Sequence, residues 1–161
     1  MAGKSWHWHT EQIPGYIPIN YNERFLYVGL RDVNETQKKT VAEAGADVIW
    51  GDADRVVDFP GELQKRLEAR DMSPSLVHLD LDVLDKSVGK VNGFESEGGL
   101  QDADVVKCMS LLPKKARPVS FTMCSFNPNL GDGDKIAGIG IRAAVAFVEA
   151  LIATSVLSTQ Q

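Results

Sequence analysis

The sequence is short of cysteine, histidine and concentrated positive charge, and each shortage closes off a class of function. Its two cysteines, Cys108 and Cys124, lie far apart with no C-x-x-C pair. That pattern predicts two buried thiols in a reducing compartment, with the cytoplasm as the default location, not a disulfide or a zinc pair. No basic stripe accompanies the net charge of −5, which argues against nucleic acid as a partner. Lys114, Lys115 and Arg117 form the densest basic cluster and read as solvated loop. The start, MAGKSWHWHTEQIPGY, has no apolar run of the secretory kind. The longest apolar run, Ala143 to Val156, has Arg142 at its edge and Glu149 inside, too polar and short for a membrane span. Internal repeats and low-complexity segments are absent.

What is present is a chain of 161 residues with 43% apolar residues and 24% charged, the composition of a globular protein. Its length suits a single domain over 1–161, with residues 1–23 irregular. His7 and His9, at i and i+2, are either metal ligands or simply exposed. Strands are expected at Phe25–Leu30, Asp47–Trp50, 75–84 and Pro118–Phe126. Helices are expected at 35–44, capped by Asn34 with Gly45 beyond the end, and at 58–70, with Phe59, Leu63 and Leu67 on its apolar face. Two more follow at Asp102–Leu112, with Val105, Met109 and Leu112 on one side, and at Lys135–Leu157. In the last, Ile136, Ile139, Ala143, Phe147, Leu151 and Ile152 make a wide apolar face. The alternation of strands and helices predicts an α/β fold, a parallel sheet with helices on both faces. Asp52, Asp54 and Asp58 lack the glycine and glutamate of a calcium loop and read as loop and cap residues.

One stretch organises the rest, SLVHLDLDVLDKSVGKVNGFESEGGL from Ser75 to Leu100. Val77, Leu79, Leu81 and Val83 alternate with His78, Asp80 and Asp82, so on a continuous strand those three polar side chains share a face. Two carboxylates so placed repel unless a cation or proton lies between them. The carboxyl end of a parallel strand is also where ligands bind in open α/β sheets. Asp80 and Asp82 therefore read as half of a cation site, or else as caps of the next turn. His78 beside them offers an acid–base group.

HLDLDVLDKSVGKVNGFESEGGL resembles the second metal-binding signature of the arginase/agmatinase (ureohydrolase) family, S-F-D-x-D-x-L-D-P followed by G-G-L. Two further stretches are similar to family motifs in the right order: GLRDVNETQ to G-L-R-D-V-D-P-G-E, and FTMCSFNPNL to D-I-M-E-V-N-P-S-L. The resemblance covers only the family's C-terminal half. It implies a three-layer α/β/α arrangement and a binuclear manganese centre that uses Asp80 and Asp82 together with histidines and a D-x-H-x-D cluster. No D-x-H-x-D occurs here, and the family's H-G catalytic histidine has no counterpart.

Other positions depart from the family as well. Ser125 aligns with the acid that pairs with the guanidinium. Asn34 and Gln37 align with the acidic pair that recognises the substrate's amino group. Phe94 takes the place of the G-T-P threonine, and Lys86 and Lys90 replace prolines, which predicts a looser or reshaped loop. Losing a buried charge partner costs about 2–5 kcal/mol, so the resemblance implies a degenerate arginase-like site, with one weak manganese ion at Asp80 and Asp82 or none. Two readings stand. One is an arginase-fold binding protein that associates with itself or with a chain supplying the N-terminal half. The other is an enzyme: a manganese-dependent hydrolase of a guanidino compound completed by such a chain, or a repurposed catalyst using His78, Asp80 and Asp82 on a small molecule.

Overall fold

The computed structural model describes residue 8, residues 11–15, residue 17 and residues 24–157; His7 and His9 lie outside them. The chain divides into two compact units, one of residues 1–27 with 33–48 and one of residues 28–32 with 49–161. Strand β1 (Leu26–Leu30) and strand β2 (Asp47–Trp50) form a two-stranded sheet.

Within the first unit, helix α1 spans Glu35–Glu43. Its start is a reciprocal cap: the Gln37 N–H donates to Asn34 Oδ1 at 2.9 Å, and the Asn34 N–H donates to Gln37 Oε1 at 2.8 Å. Two of the orphan amides of a helix start are satisfied in this way. The chain leaves the helix through Gly45, whose φ of +68° suits glycine.

The second unit holds helix α2 (Phe59–Ala69), strand β3 (Ser75–Asp80), helix α3 (Asp102–Lys115), strand β4 (Pro118–Cys124) and helix α4 (Gly133–Ala153). Strands β3 and β4 pair in parallel, with His78 opposite Thr122, Leu79 opposite Met123 and Asp80 opposite Cys124. Parallel pairing requires a crossover, and α3 supplies it. Helix α4 packs on α3, and α3 on α2. Phe59, Leu63 and Leu67 are buried as their spacing predicts, and Asp58 caps α2 by accepting from the Gly61 N–H at 3.0 Å. Ile136, Ile139, Ala143, Phe147 and Leu151 form the buried face of α4, where the Phe147 ring lies 4.9 Å from that of Phe121.

By length and composition α4 could cross a membrane. Eight of its residues, from Gly133 to Leu151, are nonetheless buried in the protein, so one face of the helix packs on the rest of its unit.

Several expectations need correction. The strand predicted to reach residue 84 ends at Asp80, and Leu81–Val83 form a turn of 3-10 helix. The cause is local: the Asp82 N–H points at Asp80 Oδ1 (3.4 Å) and the Leu84 N–H donates to Leu81 O (3.2 Å), a side-chain turn that competes with the ladder. Asp82 therefore does not share a strand face with His78 and Asp80. Helix α3 continues past Leu112 through Pro113 to Lys115, and Leu111, not Leu112, is buried. Ile152 is exposed. Cys108 is buried as expected, but Cys124 is exposed.

Candidate functional site

The loop from Leu84 to Leu100 is tied down at three points. Arg31 is the first. Its guanidinium donates to the carbonyls of Asp82 and Leu84 at 2.9 Å each, of Gly29 at 3.2 Å and of Ser96 at 3.2 Å. Burial lowers the pKa of this arginine, while the charges of Asp82, Asp85 and Asp32 act in the opposite direction. Close approach depends on glycine: a Cβ on Gly99 would lie 2.8 Å from the guanidinium carbon and 2.5 Å from Val83 O.

Asp85 is the second tie. It accepts from the N–H groups of Gly98 (2.7 Å), Ser87 (2.9 Å) and Gly99 (3.1 Å). Burial would raise its carboxyl, but these donors outweigh burial and keep it low. Glu95 is the third. Its Oε1 accepts from the N–H groups of Val91, Gly93 and Asn92 at 2.6, 2.8 and 3.0 Å. Backbone donors, Gly93 first, hold this carboxyl at about 2. Lys86 pairs with Glu97, and the Lys90 N–H donates to Asp132 Oδ2 at 2.9 Å. The loop that two lysines were expected to loosen or reshape is densely bonded.

These ties place Asp80 and Asp82 at the carboxyl end of β3. The Asn92 side-chain amide donates to Asp82 Oδ2 at 2.9 Å. Burial, followed by a hydrogen bond and charge shared with Asp80, pushes Asp82 above the ordinary range. Burial acts to raise Asp80 also, but hydrogen bonds from Ser125 and Asp82 outweigh it and hold Asp80 low. The two carboxyls share a hydrogen bond, so their affinities for a proton move in opposite directions. Ser125, just past β4, has φ of +60°, an uncommon conformation for a residue with a side chain.

On the face of β3 and β4 that carries His78 and Asp80, four polar side chains converge. His78 Nδ1 lies 2.6 Å from Thr122 Oγ1, and His78 Nε2 lies 3.5 Å from Cys124 Sγ. Among the described residues, the one set of three metal-competent ligand atoms within 4.8 Å of each other is His78, Asp80 and Cys124.

Phe94 is 78% exposed. Asn34 and Gln37 are engaged as the cap of α1, where each satisfies the other's backbone. Sequence reasoning missed Arg31, Asn92, Thr122 and Cys124. A signal for Cys124 was legible: in PVSFTMC it shares the strand parity of Ser120 and Thr122, the polar face.

These residues do not fit a binuclear manganese centre. Manganese favours oxygen-rich shells of high coordination number. Here the ligand atoms that gather beside Asp80 are an imidazole nitrogen and a thiol sulfur, not further oxygens.

The model of the arginase family matches residues 11–153. Similar solved structures include an arginase from Bacillus caldovelox, 25% identical with a TM-score of 0.67, the match covering 85% of this chain and 46% of that one. An arginase from Bacillus subtilis is 23% identical with a TM-score of 0.67, covering 84% of this chain and 47% of that one. The agmatine ureohydrolase of Thermoplasma volcanium is 18% identical with a TM-score of 0.64, covering 78% and 41%. The last two bear on the fold alone. The chain spans less than half the length of each of these proteins. No curated protein matches it in sequence.

Proposed function

The chain belongs to the arginase family, and on that premise we propose that it is a ureohydrolase-fold protein with a degenerate site, which does not hydrolyse arginine by itself and which associates with a second copy or a complementary chain. Ser125 carries the reading. A neutral hydroxyl stands where the resemblance puts the guanidinium-pairing acid, and it bonds Asp80 instead. A hydroxyl cannot supply the bidentate, charge-assisted pair a guanidinium needs. Asp80 and Asp82 hold at most one manganese ion, weakly, because two carboxylates cannot fill the shells of two.

Association is supported by an apolar stripe on α4: Ile141, Val145, Val148 and Ile152, at i, i+4, i+7 and i+11, are all at least 42% exposed. Contiguous exposed apolar residues of this kind mark interaction surfaces. Both cysteines are free thiols, in keeping with a cytoplasmic setting.

The test combines a urea assay with a measurement of mass. With arginine and manganese, the chain alone releases no urea above a blank, and light scattering gives a mass greater than one chain. Urea release that Asp82→Asn abolishes would establish the competing reading, a manganese-dependent hydrolase. A clean monomer at micromolar concentration would end the proposal of self-association and leave only a complementary chain as the partner.

A further inference from the structure

We propose that His78, Asp80 and Cys124 form a mononuclear site for a borderline transition cation, with zinc(II) the ion whose preferences the set matches. The parallel register builds it. His78 and Asp80 are two apart on β3, Thr122 and Cys124 are two apart on β4, and the strands pair His78 with Thr122 and Asp80 with Cys124. Strand periodicity puts all four on one face, and the ligand atoms of His78, Asp80 and Cys124 lie within 4.8 Å of one another.

The spacing fits the ion. Bonds of about 2.3 Å to sulfur and 2.0–2.1 Å to nitrogen, at a tetrahedral angle, separate those ligand atoms by about 3.5 Å, and Cys124 Sγ lies 3.5 Å from His78 Nε2. A ligating histidine has its other nitrogen held by a polar partner, which fixes the ring. Thr122 Oγ1 does this at 2.6 Å from Nδ1. With Nδ1–H donating to that hydroxyl, Nε2 turns its lone pair toward the thiol.

Charge and donor type agree. A carboxylate and a thiolate neutralise a divalent ion, and the imidazole binds neutral. Nitrogen, oxygen and sulfur together suit zinc far better than manganese. Binding releases the thiol proton of Cys124 to solvent. His78 and Cys124 are exposed, so a fourth coordination position stays open to water. The site stands whether or not the chain hydrolyses arginine.

Cobalt(II) is the probe that tests this site, because thiolate ligation gives it a near-ultraviolet charge-transfer band that carboxylate and imidazole alone do not. The full chain, stripped with a chelator and titrated, develops the band to one equivalent, and zinc bleaches it. Cys124→Ser abolishes the band and Cys108→Ser leaves it intact. His78→Ala weakens binding at least about tenfold. Thr122→Val weakens it about 10- to 100-fold while keeping the band, the behaviour of a positioning residue. In the unaltered chain, zinc protects Cys124 from alkylation by iodoacetamide. Absence of the band, its survival in Cys124→Ser, or unprotected alkylation overturns the site. None of these results bears on urea release, so the two proposals fail separately.

Discussion

Replacing Arg31 with alanine removes one side chain that serves four carbonyls on three segments of the second unit. Two of those hydrogen bonds, to Asp82 O and Leu84 O, are 2.9 Å long, and those to Gly29 O and Ser96 O are 3.2 Å. A hydrogen bond from a charged donor contributes about 1.5–3 kcal/mol. Arg31 is half-buried, so water recovers part of the loss. Taking the low end for the two short bonds gives about 3 kcal/mol, and the longer pair adds about 1 kcal/mol more. Urea unfolding of Arg31→Ala is therefore expected to show a loss of about 3–4 kcal/mol, and at about 2–4 °C per kcal/mol the melting temperature falls by roughly 10 °C. Arg31→Lys tests the geometry, because a point-like ammonium cannot span carbonyls on three segments. It recovers about half of the loss. Amide exchange locates the effect: the Gly98 and Gly99 amides, protected by Asp85 on the same loop, exchange faster in Arg31→Ala. A stability change under about 0.5 kcal/mol, the size of an ordinary surface substitution, with Gly98 and Gly99 protection unaltered, would refute this account of the loop.

The other predictions concern the core and one carboxyl. Phe147→Ala empties a site that is 2% exposed and removes the ring packed on Phe121, so guanidinium unfolding should show a loss of about 3–5 kcal/mol; under 1 kcal/mol would mean the α4 packing is wrong. Glu95 titrates at about 2 because three backbone N–H groups, Gly93 foremost, bond its charged form. Its folded pKa lies below the unfolded value, so its stabilisation is complete above the ordinary glutamate range and is lost as pH falls toward about 2. The carboxyl-carbon NMR titration should show that midpoint, and Glu95→Gln should be destabilised at pH 7 yet match the unaltered chain near pH 2. A midpoint near 4 would exclude the three-donor arrangement.

Much of the fold was legible in the sequence because its signals are local. The cap at Asn34, the cap at Asp58 and the buried triplet Phe59, Leu63 and Leu67 follow from residues three or four apart, and a single helix satisfies them without reference to the rest of the chain. Asp47–Trp50 was readable for the same reason. The strand through Asp82 was not, since alternation of apolar residues continues to Val83 while the Asp80 side chain and the Leu81 carbonyl pull the backbone into a 3-10 turn.

By itself, the sequence determined the order of strands and helices, the apolar face of α4 and the presence of an Asp-x-Asp at a strand end. Tertiary structure alone decided which groups meet there. His78 and Cys124 are 46 positions apart and Arg31 and Ser96 are 65 apart. Such pairs are set by the register of parallel strands and by a guanidinium threading between loops. Local periodicity says which face a residue occupies, but it carries no information about what the neighbouring strand places beside it.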